Sequence, residues 1–143
     1  MEHMDLQNAK NLLQQGSHTC VLCKGAKIHT TRERGVKPLV RWLTEGTDLQ
    51  GFSAADKVVG KATAYLYCLL GVKAVHSLVM SGAAARVLEE NGISATQDKL
   101  VDNIINRQGT GICPFEEAVW EITDPQLALT AIRNKMAQMQ ISL

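Results

Sequence analysis

The chain has 143 residues, 45% apolar and 20% charged, with 15 lysines and arginines against 14 aspartates and glutamates. A chain of this length holds one ordinary core, and its near balance of charge lacks the electrostatic footprint that nonspecific nucleic-acid binding needs. No run approaches the ~20 apolar residues of a spanning helix, and residues 1–20 lack the apolar stretch of a secretory leader. The expectation is one cytoplasmic domain over residues 1–143 that meets neither nucleic acid nor membrane.

In chain order, residues 4–15 place Leu6, Ala9, Leu12 and Leu13 at helical spacing, and Gly16 ends that helix. Residues 18–23 and 28–31 read as strands around the turn Lys24-Gly25-Ala26-Lys27, which predicts a hairpin. Cys20 and Cys23 fall inside it. Three positions apart on a strand they face opposite ways, so this lone C-x-x-C predicts packing residues rather than zinc or redox chemistry. With Cys68 and Cys113 they make four scattered cysteines, the usage of a reducing compartment. A polar loop then leads to a helix with Pro38 near its start, Leu39, Val40, Trp42 and Leu43 in its body, and Gly46 at its end.

Residues 49–55 read as a strand and Asp56 as the N-cap of a long helix, apolar on nearly every side, that reaches Leu70 and is closed by Gly71. Residues 73–80 form a buried strand. Ser81 caps a helix carrying Ala84, Val87 and Leu88, and Asn91-Gly92 terminates it before an extended run from Ile93. Residues 100–105 fit either a last strand or a helical turn, and residues 113–120 are helical. Thr123-Asp124-Pro125 starts a final helix expected to turn Leu127, Leu129, Ile132, Met136 and Met139 inward. Strands alternating with helices in this order predict a three-layer α/β/α sandwich with a mixed, partly parallel sheet.

Two helix mouths carry the residues suited to chemistry. If the long helix begins at Asp56, then Lys57, Gly60 and Lys61 fall at i, i+3 and i+4 and share one face. A lysine in the first turn opposes the helix dipole, an arrangement that an anion relieves, and bare Gly60 would let a ligand approach the backbone. At the second mouth Cys113 is the N-cap before Pro114, with Glu116 placed to complete a capping-box-like arrangement. A sulfur there is offered backbone donors and the dipole, which favour a thiolate, while Glu116 and Glu117 oppose one. The preceding loop holds Asn106, Arg107, Gly109, Thr110 and Gly111, and it can wrap backbone donors around an anion as a nest does. It is neither a dinucleotide fingerprint nor a Walker loop.

The blocks Arg32-Glu33-Arg34-Gly35-Val36-Lys37-Pro38-Leu39, Ala55-Asp56-Lys57-Val58-Val59-Gly60-Lys61-Ala62 and Ile105-Asn106-Arg107-Gln108-Gly109-Thr110-Gly111-Ile112-Cys113-Pro114, followed by Glu116-Glu117-Ala118, resemble a family of uncharacterised bacterial proteins, the domain of unknown function 1893 (DUF1893). The resemblance implies a cytidine deaminase-like α/β/α fold, with the two helix mouths side by side over the end of the sheet and no assigned reaction. Zinc deaminases open one helix with His or Cys followed by Glu, and the next with Pro-Cys-x-x-Cys. This chain has Asp56-Lys57-Val58 and Cys113-Pro114-Phe115-Glu116 in those places, too few ligands for a metal, so neither zinc nor another cofactor is expected.

Three functions follow as expectations. The first is a zinc-free binding module for a small anionic or nucleotide-like molecule, held by Gly60, Lys61, Asn106, Arg107, Thr110 and Gly111. The second is an enzyme with Cys113 as nucleophile, Lys57 or Lys61 stabilising negative charge, and Asp56 exchanging protons. The third is a scaffold whose helices are merely well capped. The oligomeric state stays open, a homo-oligomer included.

Overall fold

The computed structural model describes residues 2–106 and 108–143. In chain order the elements are α1 (Glu2–Gln15), β1 (Cys20–Lys24), β2 (Lys27–Thr31), α2 (Lys37–Glu45), β3 (Ser53–Val59), α3 (Lys61–Leu70), β4 (Ala74–Ser81), α4 (Gly82–Glu90), β5 (Ser94–Val101), α5 (Pro114–Ala118) and α6 (Pro125–Gln138). The strands form one sheet in the order β2-β1-β3-β4-β5. β1 is antiparallel to both neighbours, while β3, β4 and β5 are parallel. The sheet is therefore mixed, as the alternation of elements predicts.

Side-chain alternation along the strands divides the core between the two faces of the sheet. Cys20 and Leu22 of β1, Ala54 of β3 and Val75 of β4 pack with Leu39, Leu66, Leu88 and Ile132 from α2, α3, α4 and α6. Val21, Cys23 and Ala55 point the other way, onto Ala9 and Leu13 of α1. The two cysteines of the C-x-x-C thus lie in separate cores, as strand geometry requires. α3 is the central helix, with Ala62, Leu66 and Tyr67 buried, and both α2 and α3 end on a glycine at positive φ, Gly46 (72°) and Gly71 (76°).

Three expectations are corrected. Asp56 and Lys57 do not open a helix: β3 continues through Val59, with Val58 beside Val79 and Val59 beside Met80 on β4, and α3 starts at Lys61. Two consecutive β-branched residues beside a ready partner strand decide this against the polar pair that looked like a cap. Lys57 therefore shares no helical face with Gly60 and Lys61. On α6 the inward stripe is Ala128, Ile132 and Met136, whereas Leu127 is 62% and Met139 44% exposed. The helix expected over residues 113–120 is only the five residues of α5. Residues 100–101 finish β5, and Ile105 bridges to Ile112 to close a loop.

Candidate functional site at the carboxyl edge of the sheet

β2, β3, β4 and β5 run in one direction, so α2, α3 and α4 all begin at the same edge of the sheet. Such an edge is where ligands of open α/β sheets commonly bind. The α4 mouth caps itself, the Ser81 hydroxyl accepting from the Ala84 N–H at 3.1 Å. The α3 mouth has no local cap, since Gly60 holds the N-cap position.

The donors at the α3 mouth are instead satisfied from fifty-odd residues away. Glu116 Oε1 accepts from the Lys61 N–H at 2.9 Å and Oε2 from the Ala62 N–H at 3.0 Å, with the side chain 7% exposed. A carboxylate at this point satisfies orphan donors and faces the positive end of the helix dipole. Gly60 is required sterically, because a Cβ there would lie 2.5 Å from Glu116 Cδ. Lys61 Nζ donates to the Trp120 carbonyl at 3.0 Å, and the Tyr65 hydroxyl donates to the Ile122 carbonyl at 2.7 Å. Residues 116–122 are thus seated on the first turns of α3. The place expected for an external anion already holds an internal one.

The second mouth also differs from expectation. Cys113 is the N-cap of α5, but its thiol makes no capping hydrogen bond, and its N–H donates to the Ile104 carbonyl at 2.9 Å. Glu116 closes no capping box there, because its carboxylate serves α3. In the loop before it, Asn106 Oδ1 accepts from the Thr110 N–H at 3.0 Å, the Asn106 N–H donates to the Gly111 carbonyl, and the Gly109 N–H donates to the Asn106 carbonyl. Those donors close the loop on itself instead of facing a guest. Arg107 lies outside the described residues.

Asp56 belongs to a different group. Its Oδ2 accepts from the Tyr67 hydroxyl at 2.6 Å, and that hydroxyl lies 3.1 Å from Cys20 Sγ. Tyr67 is 0% and Cys20 3% exposed. Burial pushes the Asp56 carboxyl up to about 6, against the pull of the Tyr67 hydrogen bond and the backbone N–H groups of Val58 and Lys57. The Cys20 thiol and the Tyr67 phenol are pushed well above their ordinary values by burial and by the Asp56 charge. Lys57, exposed on β3, bonds through its N–H to the Thr19 carbonyl. His76, buried on β4, pairs with Thr96 Oγ1 at 2.8 Å and Asp98 Oδ1 at 3.1 Å, a satisfied core histidine. Among the described residues no three His, Cys, Asp or Glu side chains form a metal-binding group.

Beside the α3 mouth a groove of about 260 Å³ runs between α3 and α4, lined by Lys61, Tyr65, Arg86, Val87, Glu90 and Asn91 with Ala83 and Thr123. The family model described as a domain of unknown function (DUF1893) matches residues 8–136. The chain belongs to the DUF1893 family. The fold is similar to that of a crystallised DUF1893 family protein, TM1506 from Thermotoga maritima, with 27% identity and a TM-score of 0.86 over 94% of this chain and 92% of that one. No curated protein matches the chain. No helix among the described residues of this DUF1893 protein is long and apolar enough to cross a membrane.

Of the residues expected at a site, the structure joins Gly60 and Lys61 to the α5 segment through Glu116 and Trp120, and it sets Asp56 apart with Tyr67 and Cys20. Sequence reading missed the grouping of Tyr67 and Cys20 with Asp56, which joins residues distant in the chain. One signal was available: a helix mouth reading Gly60-Lys61 with no Ser, Thr, Asp or Asn at its cap requires an acceptor from elsewhere.

Proposed function

We propose that this DUF1893 protein is a binding domain for a small anionic molecule, seated in the groove between α3 and α4. The observation that carries the reading is Arg86. It is exposed on the groove wall and pairs with no acidic residue among the described ones, although Glu90 follows it by one helical turn. Lys61 supplies a second cation, fixed by the Trp120 carbonyl and lying 5.8 Å over the Tyr65 ring. Two cations on a concave wall, one of them unpaired, favour an anion there. The volume of about 260 Å³ lies just below the ~300–1,000 Å³ typical of ligand pockets, which suits a small molecule.

Among the described residues expected at a site, Lys61 lines this groove, and Gly60, Asn106, Thr110, Gly111, Asp56, Lys57 and Cys113 are not part of its lining. Thermal-shift measurements against inorganic phosphate, short carboxylates, sugar phosphates and nucleotides test the reading. An anion at one hundred times its Kd stabilises the fold by about 2.7 kcal/mol, and Arg86→Gln should abolish that stabilisation while leaving the unliganded melting temperature in place. Absence of stabilisation by every anion, or full stabilisation in an Arg86→Gln/Lys61→Met variant, refutes it.

A further inference from the structure

Resting on that reading, we infer that the α3/α4 groove takes a zwitterion, a molecule with an anionic group at one end and an ammonium at the other, joined by a short aliphatic chain. The groove is bipolar. The Arg86 guanidinium has its Nη1 3.7 Å from where a Cβ on Gly82 would sit, so it folds back toward the start of α4, and Lys61, the first residue of α3, lines the same groove. At the other end of α4 stand Glu90 and Asn91.

Arg86 and Glu90 are i and i+4 on one helix, a spacing at which opposite charges usually meet, yet they do not pair. The order Arg-then-Glu along the helix is the less favourable one, which makes the open arrangement cheap to hold. The Asn91 amide nitrogen donates to the Val87 carbonyl at 2.7 Å, which commits its nitrogen to the helix and leaves its Oδ1 as the free acceptor of a residue that lines the groove together with Glu90. A charged ammonium therefore has two acceptors at this end. Between the ends, Ala83 and Val87 present methyl groups and Tyr65 a ring wall. One helical turn separates the two poles along α4 by about 6 Å, and the folded-back Arg86 lengthens the gap, a span suited to a chain of roughly four carbons.

Calorimetric titration of the full chain with 5-aminovalerate, valerate, pentylamine and inorganic phosphate decides the matter. The zwitterion should bind at least about tenfold more tightly than valerate or pentylamine. Glu90→Gln should remove that advantage without changing valerate binding, and Arg86→Gln should weaken both 5-aminovalerate and valerate. Equal binding of valerate and 5-aminovalerate, or binding of 5-aminovalerate unaffected by Glu90→Gln, overturns the zwitterion and leaves the anion site standing. Phosphate binding that depends on Arg86, with no binding of 5-aminovalerate, does the same. Binding of none of the four probes overturns the zwitterion, and the anion reading then falls only if the sugar phosphates and nucleotides of the thermal-shift panel fail as well.

Discussion

Replacing Glu116 by alanine removes the acceptor for two backbone donors at the head of the central helix. Both the Lys61 and Ala62 N–H groups lose their partner, at about 1–3 kcal/mol for each donor that stays dry. The lost charge at a helix N-terminus adds up to ~2 kcal/mol, while water reaching the opened site offsets part of the total. A net loss of about 3 kcal/mol is expected, a fall of roughly 10 °C in Tm for a chain of this size. Gly60→Ala should do nearly the same damage by a different route. A Cβ at residue 60 would stand 2.5–2.7 Å from the carboxylate carbon and both oxygens, so Glu116 must withdraw. The Gly60 backbone itself is extended, at φ −100° and ψ −178°, and tolerates any side chain. In an Glu116→Ala background Gly60→Ala should therefore cost no more than the ~1 kcal/mol difference between alanine and glycine as caps. Urea denaturation of the four-member cycle should give a coupling of about 2 kcal/mol. Additivity within ~0.5 kcal/mol would refute the steric account of Gly60.

Tyr67→Phe removes the donor to Asp56, and the fold should lose about 1–3 kcal/mol; because that hydrogen bond holds the Asp56 carboxyl down, its titration, followed by carbon NMR, should move upward. Asp56 titrates at about 6 in the fold against ~3.9 unfolded, so its contribution to stability is fully present below about pH 4 and is lost as pH rises through 6, a swing of roughly 3 kcal/mol. Denaturation of wild type and Asp56→Asn across pH 4 to 8 should show this swing in the difference between them, and parallel curves would contradict it. Iodoacetamide should label half-buried Cys113 before Cys20 and Cys23, which are 3% and 1% exposed, and before Cys68, whose thiol burial raises to about 11; mass spectrometry of the native protein reads the order directly.

The elements that sequence reading located carry their signals within a few residues. Pro38 and Gly46 bracket α2, Ser81 and Asn91-Gly92 bracket α4, and the Asp124 carboxylate does cap α6, accepting from the Leu127 N–H at 2.9 Å. The error at Asp56 has the opposite origin. Val58 and Val59 lie close by, but the strand that pairs with them is β4, the partner of the Asp56 carboxylate is Tyr67 on α3, and the acceptor at the true start of α3 is Glu116, all beyond a short window centred on Asp56. Helical spacing alone turns Leu127 and Met139 inward, but the face of α6 that packs into the core carries Ala128, Ile132 and Met136. The anion preference of the α3 mouth was readable from Lys61 and Gly60. Which anion satisfies it was not, because any carboxylate in the rest of the chain could have served.

That internal pairing also sets a timetable during synthesis. Lys61 leaves the ribosome 55 residues ahead of Glu116, which at about 5–20 residues per second is an interval of roughly 3–11 s. Until Glu116 follows, the Lys61 and Ala62 N–H groups at the head of α3 lack the carboxylate that satisfies them in the fold, although the helix itself is complete from Leu70 onward.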